Sequence, residues 1–585
     1  MKPQVLELTD QSDRTLIEQD LDANIFVEAG AGSGKTHELV ERICTMVDAG
    51  VELRSVAAIT FTEKAAGELR ERVRRQLTDA SPTDLRQRAL DQLDTAPIGT
   101  IHSFAARLIS QHPVEAGVPP LITVVDELRS QIAFTRRWEA ARQKLFTDPS
   151  VDDALRILLA VGVTLDHLEN VAADLDANWD RLESHPPRKR RIPAVDLGPL
   201  LRQTSEVLAH AGHCTDPADK LLTAFEHIKS WHGRLAEAET GELGLVLELL
   251  HSVPQSGFSG GQKGNWSVNI ADVRSSCKDL AAQATALRNS FVQPAVETVT
   301  AAMADVLVEA ARERQRSGEL EYHDLLIHAR DLLVGGNKAG VHAALHNRYR
   351  CIMLDEFQDT DPIQAELATR IAADEVCGPD GWEQLSVPPG RLFTVGDPKQ
   401  SIYRFRRADI ATYLAAQQRF SDDPNSRIAS LQTNFRSTGA LLEWINGTFG
   451  QLITPSGSIQ PEYRALTPDP RRPEWNGEHG PAVSVIGRTG AQPGESGKVS
   501  ADDMRRQEAA DVAAAIRLAT GTAGPPAWQK QSKRSGGFAC SAVELKDICV
   551  LIPTRTSLAA LEDALDDAGI EYRAEASSLV YSTQE

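Results

Sequence analysis

The chain has 585 residues, too many for a single hydrophobic core and enough for roughly three or four units of ordinary size. Hydrophobic residues make up 41% and charged residues 25%, as in ordinary globular proteins, and no apolar run approaches the roughly 20 residues that cross a bilayer. The formal net charge of −20 governs long-range steering but does not exclude nucleic acid, because binding depends on the charge of a local groove.

The N-terminus is acidic and has no apolar h-region, so it does not read as a secretory signal. The cysteines at 44, 214, 277, 351, 377, 540 and 549 contain no CxxC pair, zinc ribbon or disulfide framework. These features give the expectation of a reducing, cytoplasmic location and no membrane partner.

Asn24 to Glu28 is a short apolar run with the character of a buried strand. It feeds into Ala29 and then Gly30-Ala31-Gly32-Ser33-Gly34-Lys35-Thr36, after which Leu39, Val40, Ile43, Met46 and Val47 recur at helical spacing up to Gly50. Strand, glycine-rich loop, Lys-Thr and helix together form the context of a phosphate-binding loop, with Ala29 replacing the first glycine of the pattern. Small residues let backbone N–H groups close around phosphates at a helix N-terminus. Lys35 is the candidate β/γ-phosphate contact, and Thr36 the candidate Mg²⁺ ligand. The bland alternative is a structural turn, which would require neither the strand before nor the helix after.

Between Phe104 and Glu321 lie about two hundred mainly helical residues, with apolar stripes at Leu155, Leu158, Leu159 and Val163 and at Val296, Val299, Met303 and Val306. The basic run His185 to Arg191 reads either as a solvated loop or as a phosphate-contacting loop. Ser256 to Gly264 reads as a flexible loop.

A second strand, Cys351 to Leu354, ends in Asp355-Glu356, two acids suited to hold Mg²⁺ and to deprotonate an attacking water, respectively. A third, Leu392 to Val395, runs into Gly396-Asp397-Pro398-Lys399-Gln400-Ser401-Ile402-Tyr403-Arg404-Phe405-Arg406. There a polar sensor, Gln400, stands just ahead of aromatics alternating with arginines, which suits the stacking of bases. A fourth, Arg427 to Leu431, leads to Asn434-Phe435-Arg436, and Arg436 is a candidate arginine finger. Beyond it, Ala482 to Ile486 and Ile548 to Ile552 suggest strands, and Met504 to Ala519 and Leu558 to Ala568 suggest helices. Linkers are expected at Thr467–Gly480, Gly490–Val499 and Gly521–Gly537.

In this order the blocks resemble motifs I, II, III and IV of the UvrD/Rep family of superfamily 1A DNA helicases. Thr60-Phe61-Thr62-Glu63-Lys64-Ala65-Ala66-Gly67-Glu68-Leu69 resembles the family's motif Ia, and Thr100-Ile101-His102-Ser103-Phe104 resembles its next DNA-contacting motif. Lys399 before Gln400, and the segment Pro119 to Glu127, are similar to the RecB/AddA branch. The resemblance implies a RecA-like parallel α/β domain, 1A, at 1–110 and 320–440, interrupted by a helical domain, 1B, at 111–319. The start of a second RecA-like domain, 2A, is expected at 441–585.

It further implies that Lys35, Thr36, Asp355, Glu356, Gln400 and Arg436 form an ATPase site using Mg²⁺, with Phe435 in the adenine-stacking position. Gln11 is the candidate adenine reader, one residue off the family spacing, and His37 replaces a basic residue. Tyr403, Phe405 and Arg406 take the places that grip single-stranded DNA, with Phe61, Thr62 and His102 beside them. Phe61 and Phe104 also read as core, and His102 as a helix cap. Motifs V and VI do not occur in the chain, so it is expected to be the N-terminal portion of a 3′–5′ helicase with a possible helicase–nuclease partner subunit. The alternatives are a DNA-binding ATPase that needs a partner chain, and a non-hydrolysing DNA-binding subunit; the intact Lys35, Thr36, Asp355 and Glu356 count against the last.

Overall fold

The computed structural model describes residues 7–238, 243–335, 338–378, 381–487, 500–534 and 537–574. The expected linker at 490–499 lies outside the described residues. The fold divides into two compact units, Met1–Phe104 with Leu333–Glu585, and Ala105–Leu332.

In the first unit the apolar runs become six parallel strands: β1 (Asn24–Ala29), β2 (Val56–Thr60), β3 (Ile98–Thr100), β4 (Cys351–Leu354), β5 (Leu392–Gly396) and β6 (Ser426–Leu431). Their spatial order is β3-β2-β4-β5-β1-β6. Every residue of β1, β2, β4 and β5 is buried, which is why these strands read as apolar runs and not as alternating patterns. Ile25, Val27, Met353, Phe393 and Val395 pack with Leu39 and Ile43 of the helix Lys35–Asp48 in one core cluster. In a parallel sheet all strands end at the same edge, so the loops after β1, β4, β5 and β6 gather there, with β5 between β1 and β4.

The second unit is helical and is built along the 48-residue helix Ile270–Ser317. Leu155, Leu158, Val299 and Met303 enter its core, whereas Leu159 and Val296 are exposed, so the two apolar stripes are narrower than the sequence suggested. The long helix is the one described helix with the length and composition to cross a membrane, contrary to the expectation that no such stretch exists. Half of its most apolar window is buried inside the unit, the packing of a core helix. The basic run is tied down in part: Lys189 pairs with Asp148 at 2.8 Å and Arg190 with Glu297 at 2.7 Å.

A charged cluster lies inside this unit. Arg314 donates to both oxygens of the fully buried Asp324 (2.7 and 3.0 Å), which also accepts from Trp179 Nε1 at 2.9 Å. Arg137 pairs with Asp176 at 2.6 Å and with Glu321 at 3.0 Å. Burial pushes the Asp324 carboxyl up, but its bonds to Arg314 win and hold it below the usual carboxylate range.

After Asn434 the expected second sheet is not present among the described residues. Ala482 to Ile486 and Ile548 to Ile552 are not strands, and Val485 is almost fully exposed. A parallel strand needs hydrogen-bonded neighbours, and no described segment supplies them there. The helices form as expected, at Ala501–Thr520 and Leu558–Asp567, and share a small core of Ala509, Ala513, Ile516, Leu561 and Leu565. Two expected linkers carry structure: Thr467–Pro468 pairs in parallel with Thr433–Asn434, and Gln529–Arg534 forms a hairpin with Gly537–Ala542.

Candidate nucleotide site and aromatic ladder

The loop after β1 turns through two left-handed glycines, Gly32 (φ 69°) and Gly34 (φ 90°). At Gly32 a Cβ would lie 2.8 Å from Arg436 Cβ, so the close approach of the loop to the segment after β6 also demands glycine there. That segment is clamped onto the loop: Asn434 Nδ2 donates to the Ala31 carbonyl (2.6 Å), and the Phe435 N–H donates to the Gly32 carbonyl (2.9 Å). Asn434 Oδ1 in turn accepts from the N–H groups of Arg436 and Ser437. Phe435 and Arg436, more than 400 positions from the glycine loop, are thereby fixed against it.

Lys35 and Thr36 open the helix Lys35–Asp48, whose N-terminal N–H groups face the loop. Lys35 Nζ donates to Glu356 Oε2 at 2.5 Å. Glu356 follows β4 in a left-handed conformation (φ 51°), one of two such non-glycine residues among those described. Backbone strain of this kind costs about 1–3 kcal/mol and persists where the surroundings over-determine it. Asp355 is pushed up to about 6, first by burial and then by the charge of Glu356, and Asp359 is pushed up to about 6 by the same two causes. Three acids against one lysine, beside a glycine cradle and a buried Ser33 hydroxyl that has no partner, fit a nucleoside triphosphate with a divalent cation. Thr36 and Asp355 could hold the cation.

Gln358, to which the sequence assigned no role, connects this corner to the strand β5. Its Nε2 donates to Glu356 Oε2 (2.8 Å) and Asp359 Oδ2 (3.1 Å), and its Oε1 accepts from the Asp397 N–H (2.8 Å). Asp397 holds Gln400 at 2.7 Å and Lys399 at 3.0 Å, so the Gln400 amide is turned towards Asp397 in this state. Three residues further on, Tyr403 packs against Phe61 (centroids 4.7 Å apart) and Phe405 (5.6 Å), a ladder of three rings with Phe405 78% exposed. Phe61 is half-buried, with its ring against Tyr403. The Arg406 side chain lies outside the described residues. Arg407, the other left-handed residue, pairs with Asp361 at 3.2 Å.

The remaining candidates separate. Thr62 caps the helix Glu63–Asp79 by accepting from the Ala65 N–H, and its backbone stands next to Phe61. Thr100 Oγ1 accepts from the Ser103 N–H, and His102 is half-buried in the first turn of the helix that follows. Phe104 is core, packed edge-on against Tyr349 at 5.2 Å. Gln11 is exposed at the start of its helix, and the groups that reach the site from there are Asp10 and Arg14. Arg14 is buried, bonded to both oxygens of Asp10, to Glu38 and to the Ser33 carbonyl, with its guanidinium 5.0 Å from the Phe435 ring centre. No periodicity marks Arg14 or Gln358, because the bonds that tie them to the loop and to the end of β5, to Ser33 and to Asp397, span 19 and 39 positions.

A parallel sheet with a glycine cradle after one strand, paired acids after the next but one, and a polar sensor just after the strand between them defines a phosphate-binding-loop nucleoside triphosphatase. The UvrD/REP helicase N-terminal domain matches residues 9–421, and the chain belongs to that family. Curated relatives include three proteins named as subunits of an ATP-dependent helicase/nuclease. That of Ligilactobacillus salivarius is 27% identical over 74% of this chain and 38% of its own length. Those of Streptococcus thermophilus and Staphylococcus aureus are 26% and 25% identical over 76% and 77% of this chain, and 40% of their own lengths. The chain thus spans about two fifths of the length of the curated relatives it matches.

Proposed function

We propose that the chain is the ATP-hydrolysing motor part of a DNA helicase of the RecB/AddA helicase/nuclease type, moving 3′ to 5′ on single-stranded DNA in repair or recombination, with a partner subunit. The helical unit would be domain 1B of that motor, and the sheet domain 1A. The observation that carries this is the short path from Glu356 through Gln358 and Asp397 to the ladder at Tyr403 and Phe405, which joins a phosphate site to a base-stacking surface.

Within the site, Lys35 leaves Glu356 to meet the β/γ-phosphates, and the freed carboxylate accepts the proton of the attacking water. Arg436 neutralises charge developing on the transferred group. A bound Mg²⁺ would draw electron density from the phosphate oxygens, with Thr36 and Asp355 orienting it. Release of Glu356 from Lys35 changes what Gln358 holds, and Gln358 touches the strand end that carries Gln400 and the ladder. Stacking on Tyr403 and Phe405 is sequence-tolerant, as movement along DNA requires.

Steady-state ATP hydrolysis with and without single-stranded DNA tests the coupling. DNA should stimulate turnover, and Tyr403→Ala should weaken single-strand binding by about 1–3 kcal/mol, the usual stacking contribution of one base. Turnover indifferent to DNA, with Tyr403→Ala binding normally, would defeat the reading.

A further inference from the structure

The two faces of the sheet are covered differently. Side chains alternate along a strand, so Phe393 and Val395 enter the core shared with the helix Lys35–Asp48, while Thr394 points to the opposite face. The helices Pro362–Ala372 and Ile410–Asp422 lie over that face and leave a cleft of about 310 Å³ between them. Leu354, Phe357, Thr394 and Phe420 belong to its buried floor. Phe26 of β1 packs edge-on against Phe357 and Phe420, with centroids 5.8 and 5.4 Å apart, and so fixes both rings. The second helix meets the cleft with Ala411, Ala415 and Ala416, side chains too short to fill it. Trp382 stands half-buried at its side, and the exposed Glu383 and Asp409 stand at its rim. The Thr394 hydroxyl has no hydrogen-bond partner among the described residues, a further sign that packing over β5 is incomplete.

We propose that this cleft is an effector site for a small uncharged aromatic molecule of about two fused rings. The site is separate from the nucleotide site, and only its effect on turnover rests on the function proposed above. Protein interiors are close-packed, so a gap of this size against a sheet forgoes contacts that an apolar occupant restores. An apolar cavity of about 150 Å³ takes up benzene, so about twice that volume suits two rings. Phe357, Phe420 and Trp382 offer such a molecule ring faces and edges. The acids at the rim repel an anion, and the apolar floor penalises any charge. Leu354 and Phe357 flank Asp355 and Glu356, and Asp409 caps the helix that follows the aromatic ladder. An occupant therefore wedges between the carrier of the acids and the carrier of the stacking rings, and stiffens the corner that moves when Glu356 leaves Lys35.

The probes are 2-naphthol, uncharged at neutral pH, and its charged relative 2-naphthoate. Calorimetry reads their binding to the wild-type chain and to Ala416→Leu, whose isobutyl group fills the cleft; Ala415→Leu, on the exposed side, serves if Ala416→Leu does not fold. The wild-type chain should bind one 2-naphthol, and the filled variant should bind it at least about tenfold more weakly, the size of an overpacking penalty. 2-Naphthoate should bind the wild-type chain more weakly than 2-naphthol by about the same factor. ATP turnover with single-stranded DNA should fall as 2-naphthol is added, half-way at the concentration that half-saturates binding, and should not respond in the filled variant. Equal binding of 2-naphthol by wild type and filled variant would place the probe elsewhere and overturn the proposal. Equal binding of 2-naphthoate would overturn the uncharged class, and binding without a change in turnover would overturn the effector role. Tighter binding of N-acetyltyrosine amide than of 2-naphthol would make the cleft a pocket for a partner protein's side chain and overturn it too. A wild-type chain that hydrolyses no ATP even without probe would count against the motor, while calorimetry would still decide the site.

Discussion

Two buried charged clusters in this molecule are built from similar residues and differ in balance. In the helical unit, Asp176, Glu321 and Asp324 face Arg137 and Arg314 through close pairs; Asp324 stays below the usual carboxylate range although it is fully buried, while burial pushes Asp176 up. At the glycine loop, Asp355, Glu356 and Asp359 have Lys35 alone, and two of the three acids are pushed up to about 6. The helical cluster has two arginines for its three acids and pairs each acid with one of them. The loop cluster has one lysine for three acids, a shortage of positive charge of the kind found where a cation or substrate enters.

That contrast can be broken by experiment. Asp324→Ala removes both hydrogen bonds that Arg314 makes to a buried carboxylate and should cost about 3–5 kcal/mol of stability, read by denaturant unfolding. A loss under about 1 kcal/mol would mean that the helical cluster is not structural after all. Lys35→Ala should do the reverse, changing stability by under about 1 kcal/mol because Glu356 is about one-third exposed. Its ATP turnover should nevertheless fall by about 10²–10³-fold, the usual effect of removing one preorganised charge-stabilising donor. Unaltered turnover would strip Lys35 of its role.

The smallest expected effect is a pH dependence. Asp355 and Asp359 bind protons more tightly in the folded chain (about 6) than a free Asp does (about 3.9). Their protonation therefore favours the fold at low pH, and this stability is lost as pH rises through about 6. In Mg²⁺-free buffer, Tm should decline across that window. Glu356→Gln should flatten the decline, because the Glu356 charge is the second cause of both shifts. A Tm profile identical in wild type and Glu356→Gln would count against the acid cluster.

Much of this was legible in the sequence, for an identifiable reason. Strands of a parallel sheet are covered on both faces, so β1, β4 and β5 stand out as apolar runs, and the loops after them carry Lys35, Asp355 and Gln400 at recognisable spacing. The clamps were not legible. Arg14 with Ser33, Asn434 with Ala31, and Gln358 with Asp397 are bonds between chemically ordinary residues, and neither spacing nor periodicity records a partner 19, 403 or 39 positions away. Past residue 440 the same rule misled: Ala482 to Ile486 has the composition of a strand but no neighbour to pair with, whereas the hairpin at 529–542, rich in Lys, Ser and Gly, lacks the apolar alternation that announces one.

The pairing of β2 with β4 sets Val56 beside Cys351, 295 positions later in the chain. At about 5–20 residues per second, a ribosome needs roughly 15–60 s to make that intervening stretch. Throughout that interval the inner edge of β2 offers unpaired N–H and C=O groups to any other strand, while β1 lacks both of its neighbours, β5 and β6. The helical unit is synthesised before β4, β5 and β6, so the corner that joins Lys35 to Glu356 can close only after it. Until then the half-made sheet carries unpaired strand edges of the kind that invite mispairing.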